Sequence, residues 1–105
     1  MMNRKAQLLE FLKSSPKDDF LNYALAQEFI AERNDAEAEK LFIQLLEWHP
    51  NYVATYYHMG KLLERRMEKE AAMEMYRKGI EVARAKREQH SLAELQSALL
   101  ELEYE

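Results

Sequence analysis

The chain has 105 residues, a formal net charge of −4, no cysteine, and only two glycines and two prolines. That length suits one domain able to bury a core, and few Gly and Pro beside abundant Leu, Ala, Glu, Lys and Arg point to long helices joined by short connections. The lack of cysteine excludes a disulfide framework, a thiol nucleophile and a Cys-based zinc site.

Asn3 is placed to cap a first helix over 4–13, with Leu8, Leu9, Phe11 and Leu12 clustered at helical spacing. Ser14, Ser15 and Pro16 end it. Asp18 is a good N-cap for a second helix reaching Glu32, and Asp19 adds negative charge near its positive end. Leu21, Leu25, Ala26 and Phe29 form its inner face. Arg33, Asn34 and Asp35 read as a turn, with Asp35 as the cap of a third helix over 36–48. There Ala38, Leu41, Phe42, Leu45 and Leu46 make an i, i+3, i+4, i+7, i+8 stripe. His49, Pro50 and Asn51 stop it. A fourth helix is expected over 52–66, bearing Tyr56, Met59, Gly60 and Leu63. A fifth, over 69–85, bears Ala72, Met73, Tyr76, Gly79, Ile80 and Ala83. After a break near 87–90, Ser91 with Glu94 reads as a capping box opening a last helix with Leu92, Leu95, Leu99 and Leu102 in line. No stretch alternates with period two, so no sheet is expected.

Pro16 and Pro50 lie 34 residues apart, and residues of matching type recur at that interval. Tyr23 recurs as Tyr57, Leu25 as Met59, Ala26 as Gly60, Phe29 as Leu63, Ala38 as Ala72 and Phe42 as Tyr76. A fixed period of this kind marks stacked supersecondary units that bury jointly what one copy cannot. Tyr56, Met59-Gly60, Leu63, Ala72 and Tyr76 in one unit, and Asn22, Leu25-Ala26, Phe29, Ala38, Phe42 and Pro50 in the other, resemble the tetratricopeptide repeat family. The small residues Ala26 and Gly60 fit a close helix approach, with Ala38 and Ala72 expected to face them. Asn22 replaces the usual aromatic, Arg84 the exit proline, and Arg33 and Met67 a frequent turn glycine. Loss of the proline should lengthen the fifth helix.

The resemblance implies an all-α fold, a right-handed stack of antiparallel helical hairpins with about six helices. As one domain, 1–105 would comprise an N-terminal half-repeat helix over 1–15, repeats over 19–52 and 53–86, and a capping helix over 91–105. Such arrays need a terminal cap.

Signs of chemistry are few. His49, His58 and His90 show no i,i+3 or i,i+4 pair, so no metal is expected. The serines lie at helix ends or on the last helix, outside any G-x-S-x-G elbow. There is no Gly-rich phosphate loop. The carboxylates fall on solvated helix faces, and no convergent acid–base pair emerges. No enzyme activity and no cofactor are expected. The basic stretch from Lys61 to Arg87 is diluted by Glu64, Glu68, Glu70, Glu74 and Glu81 and followed by Glu88, which argues against nucleic acid. No segment approaches the roughly 20 apolar residues of a membrane span. The apolar run after Arg4 and Lys5 is too short and too charged for a secretory signal. A cytoplasmic protein without membrane contact is expected.

A second stripe lies on the first helix of each repeat, offset from the core stripe. Phe20, Tyr23, Gln27 and Ile30 form it in one repeat, and Tyr57, His58, Lys61 and Arg65, with Ala54, in the next. The resemblance places these residues on a concave surface that binds extended or helical peptides. Tyr23 and Tyr57 equally fit packing between adjacent first helices. Aromatic side chains combine contact area with a polar tip and are enriched at binding surfaces. Lys61 and Arg65 give this surface one basic end, which would suit an apolar segment with acidic character. The expected function is a scaffold or adaptor for a protein or peptide partner. The alternative is self-association as a weak homodimer, sealed by the leucine surplus of the last helix, where Leu100 joins the other four.

Overall fold

The computed structural model describes residues 2–105 and contains six helices and no strand among them. They are α1 (Arg4–Ser14), α2 (Asp19–Ala31), α3 (Asp35–Trp48), α4 (Ala54–Arg65), α5 (Lys69–Lys86) and α6 (Gln89–Glu103). The chain divides between Tyr52 and Val53 into two compact units.

In the first unit α2 and α3 form a hairpin and α1 packs on α2. Two caps are those expected: Asn3 Oδ1 accepts from the Ala6 N–H at 2.8 Å, and Asp18 Oδ1 from the Leu21 N–H at 2.8 Å. The third differs. Asn34, not Asp35, caps α3 by accepting from the Glu37 N–H, and Asp35 becomes the first helical residue, where its charge suits the helix dipole. Leu25, Ala26, Ala38, Phe42 and Leu45 are buried. Leu21 and Phe29 are only half-buried, and of the α1 cluster only Leu8 is buried. Packed on α2, α1 buries a narrow stripe and leaves Leu9 and Phe11 exposed. Lys5 anchors α1 by placing Nζ 4.3 Å from the Phe29 ring centroid and 3.1 Å from Glu32 Oε1.

Asn22, the departure from the family aromatic, is 3% exposed. Its Nδ2 donates to the carbonyl oxygens of Pro16 (3.1 Å) and Asp18 (2.7 Å), so it ties the α1–α2 connection to α2. His49 Nε2 contacts the Lys17 carbonyl and fastens the same connection to the end of α3.

In the second unit α4 and α5 form the hairpin, and α6 packs along α5 with a smaller contact to α4. Its core includes Tyr56, Met59, Leu62, Ala72, Tyr76 and Ala83, closed by Leu95, Ala98 and Leu102 of α6. Gly60 is required by a close approach, but to Tyr76 rather than Ala72: a Cβ there would lie 2.2 Å from Tyr76 Cε1. Tyr76 therefore fills space inside its own hairpin, where its hydroxyl donates to the Glu64 carboxylate. Without a proline, α5 runs to Lys86 and has 18 residues against 14 in α3. The capping box at Ser91 does not form. Helix α6 starts at Gln89, without a side-chain cap, and Ser91 lies inside its first turn.

Three helices end alike. Beyond α2, α4 and α5, the residues Arg33, Met67 and Arg87 take the left-handed conformation, with φ of 61°, 62° and 58°. The N–H of each donates to the carbonyl three residues back, and the next N–H donates to the carbonyl five back: Arg33 to Ile30 and Asn34 to Phe29, Met67 to Glu64 and Glu68 to Leu63, Arg87 to Arg84 and Glu88 to Ala83. These are Schellman endings, a geometry that usually recruits glycine because it has no Cβ to clash. The family glycine is missing at 33 and 67, yet the backbone there has kept the conformation glycine would favour.

Candidate functional site

In the first unit the four expected residues lie on α2. Phe20 is 52% exposed, and Tyr23, Gln27 and Ile30 are half-buried. Tyr23 meets Tyr52 edge to face, with centroids 5.7 Å apart and planes at 60°. Burial, followed by the charges of Asp19, an ionised Tyr23 and Asp18, pushes the Tyr52 hydroxyl up to about 12. Tyr23 thus has a packing role within its unit while part of its ring surface stays accessible. Gln27 Oε1 is buried without a hydrogen-bond partner among the described residues.

In the second unit the expected residues lie on α4. Tyr57 sits 5.3 Å from the His58 ring and 6.3 Å from the Tyr76 ring. Lys61 Nζ lies 5.4 Å from the Tyr57 ring centroid and 3.5 Å from Glu64 Oε2. Arg65 is exposed at the helix end. The His58 imidazole is held below its ordinary range by burial, assisted by Arg65 and opposed by the Glu94 charge on α6.

Tyr57 and Lys61 form one wall of an open cavity of about 350 Å³. The other wall is α6, through His90, Ala93, Glu94, Ser97, Ala98 and Glu101. Those positions follow i, i+3, i+4, i+7, i+8 and i+11, a continuous helical stripe. Sequence reasoning read α6 as a cap, or through its leucines as a self-association surface, and missed this wall. The signal was present: small and polar residues at helical spacing beside the leucine stripe, with alanines that leave room. His90, expected as an ordinary surface or turn residue, pairs with Glu94 at 3.5 Å on that wall.

The arrangement offers an aromatic face, an ammonium, carboxylates and a hydroxyl around an open depression. No described helix is long and apolar enough to cross a membrane.

No family model matches the chain, and no curated protein matches it. Solved structures do. A solution NMR structure of a tetratricopeptide repeat domain protein from Salinibacter ruber superimposes with a TM-score of 0.81 at 49% identity, covering 84% of this chain and 89% of that one. A crystal structure of a tetratricopeptide repeat domain protein from the same organism gives 0.79 at 49% identity, covering 82% and 96%. A solution structure of a protein from Bordetella parapertussis shares the fold, with a TM-score of 0.84 at 20% identity over 99% of this chain and 90% of that one. With half its residues identical across most of the Salinibacter domains, the chain belongs to the tetratricopeptide repeat family.

Proposed function

We propose that this protein is a non-catalytic adaptor whose contact residues are Phe20, Tyr23, Gln27 and Ile30 on α2 in the first unit and Tyr57, His58, Lys61 and Arg65 on α4 in the second. Family membership supports protein–protein interaction in general. The finer reading takes 19–52 and 53–86 as repeats of one binding domain, flanked by the half-repeat 1–15 and the cap 91–105. The observation that carries it is the α4–α6 cavity, walled by Tyr57 and Lys61 from the second stripe and by an α6 stripe that, Ala98 apart, lies outside the core. Side chains kept out of the core around an open depression are what a recognition surface needs.

Self-association through α6 is the second reading. It is supported by Leu100, 54% exposed, and by exposed Tyr104 near the same helix end. Against it, Leu95 and Leu102 already face the core. The test is affinity capture from the native lysate with the parent chain and with Ser97→Arg, which fills the cavity from an exposed position. The adaptor reading expects a partner that the variant loses, and that the purified parent binds as a monomer. A captured set unchanged by Ser97→Arg, or a molecular mass that doubles with concentration, would refute it.

A further inference from the structure

The basic end of the sequence stripe suggested an acidic partner segment, but the atoms around the cavity argue the reverse. Lys61 already has a carboxylate, Glu64, at 3.5 Å and the Tyr57 ring at 5.4 Å. Opposite it stand Glu94 and Glu101. Glu94 pairs with His90, whose side chain is 90% exposed and uncharged unless protonated, and its charge also acts on the half-buried His58. Among the described residues, no cation pairs with Glu101. The cavity is thus lined by two carboxylates, Glu94 and Glu101, and by one ammonium that Glu64 beside it already matches. A second observation is independent of that charge count: the Tyr57 face already holds a cation, supplied by the chain itself. Aromatic faces attract cations through the ring quadrupole, guanidinium more often than ammonium.

The geometry points to a cation site: the cavity between α4 and α6 takes an arginine side chain from a basic segment of the partner, with the guanidinium against Tyr57 and facing Glu94 and Glu101. Arginine fits better than lysine because its planar group stacks on a ring and bonds carboxylates with fixed donors at the same time. Lys61 is then an internal competitor rather than a recognition charge. This deepens the adaptor reading and rests on it.

Two capped peptides of equal length separate the possibilities, one alternating alanine with arginine and the other alanine with glutamate. Each is titrated into the full ¹⁵N-labelled chain at low salt, and affinity is read from the amide shifts of Ser97 and Glu101. The arginine peptide should bind saturably at those amides. Glu94→Gln with Glu101→Gln should weaken it roughly tenfold, a modest loss because both contacts are solvent-screened. Lys61→Gln should tighten it, since the competing ammonium is gone. Glu10→Gln with Glu47→Gln makes the same change in net charge elsewhere and should alter affinity less than about twofold.

Three results would each overturn the cation site. One is binding of the glutamate peptide at these amides, weakened by Lys61→Gln. Another is the absence of saturable shifts with either peptide. The third is an equal loss from the control pair, which would reduce the effect to overall charge. None of these touches the adaptor reading, which instead stands or falls on whether Ser97→Arg releases the native partner.

Discussion

Alanine is the better helix former, yet Gly60→Ala should destabilise the second unit. The added Cβ would fall 2.2 Å from Tyr76 Cε1 and 2.7 Å from its Cδ1 and Cζ. Carbon atoms pack comfortably at about 3.5–4.0 Å, so the ring would have to retreat by more than about 1 Å. Little allows that. Tyr76 is fully buried, its hydroxyl is held by Glu64, and the Tyr57 ring stands 6.3 Å away. Overpacking a core costs about 1–3 kcal/mol, and a contact this short belongs at the upper end. The better helix propensity of alanine returns about 1 kcal/mol. The net loss is about 2 kcal/mol, or roughly 10 °C in Tm for a domain of this size. Urea unfolding followed by circular dichroism would measure it, with Gly60→Ala repeated in a Tyr76→Leu background. The loss should shrink there, because the smaller side chain vacates the space. A Gly60→Ala protein as stable as the parent would refute the close approach. The sequence alone set the small Ala72 opposite Gly60, since it does not reveal which side chain lies nearest.

Asn22→Ala should cost about 1–2 kcal/mol by leaving the Pro16 and Asp18 carbonyls short of a donor, and Asn22→Leu should not restore the loss; chemical denaturation at unchanged m-value checks both. Arg33→Gly, Met67→Gly and Arg87→Gly together should raise Tm, because each relieves a left-handed residue of about 1 kcal/mol strain; an unchanged or lower Tm would contradict the Schellman geometry. His58 has a folded-state pKa below its ordinary 6.5, so the unfolded chain takes up its proton more readily. Stability from this group is full above about pH 6.5 and is lost as pH falls toward the folded value. The urea midpoint should therefore drop on acidification, and less steeply in His58→Gln.

Helix number, order and most limits could be read from the chain because caps and stripes are local. Asn3 and Asp18 each act on an N–H three residues away, and the 34-residue recurrence fixed the pairing of helices. What escaped depends on tertiary neighbours or on backbone geometry hidden by side-chain identity. Ser91 and Glu94 satisfy the capping-box spacing, but the ending of α5 delivers the chain directly into α6 at Gln89. Asn22 looked like a weakened repeat position, whereas it bonds a loop that only the folded unit brings near. The site was legible by halves. Tyr57 and Lys61, which line the cavity, belong to the stripe read from α4, while the wall facing them on α6 is defined by how α6 docks, and its leucines drew attention to the opposite side.

The decisive measurement is an amide-shift map of the ¹⁵N-labelled chain bound to the native partner isolated by capture. An adaptor using the α4–α6 face should show its largest changes at Tyr57, Lys61, Ala93, Ser97 and Glu101, all lost in Ser97→Arg. Changes confined to Leu100 and Tyr104, or to the outer residues of α1 and α3 such as Phe11 and Ile43, would place the contact surface elsewhere and contradict the assignment.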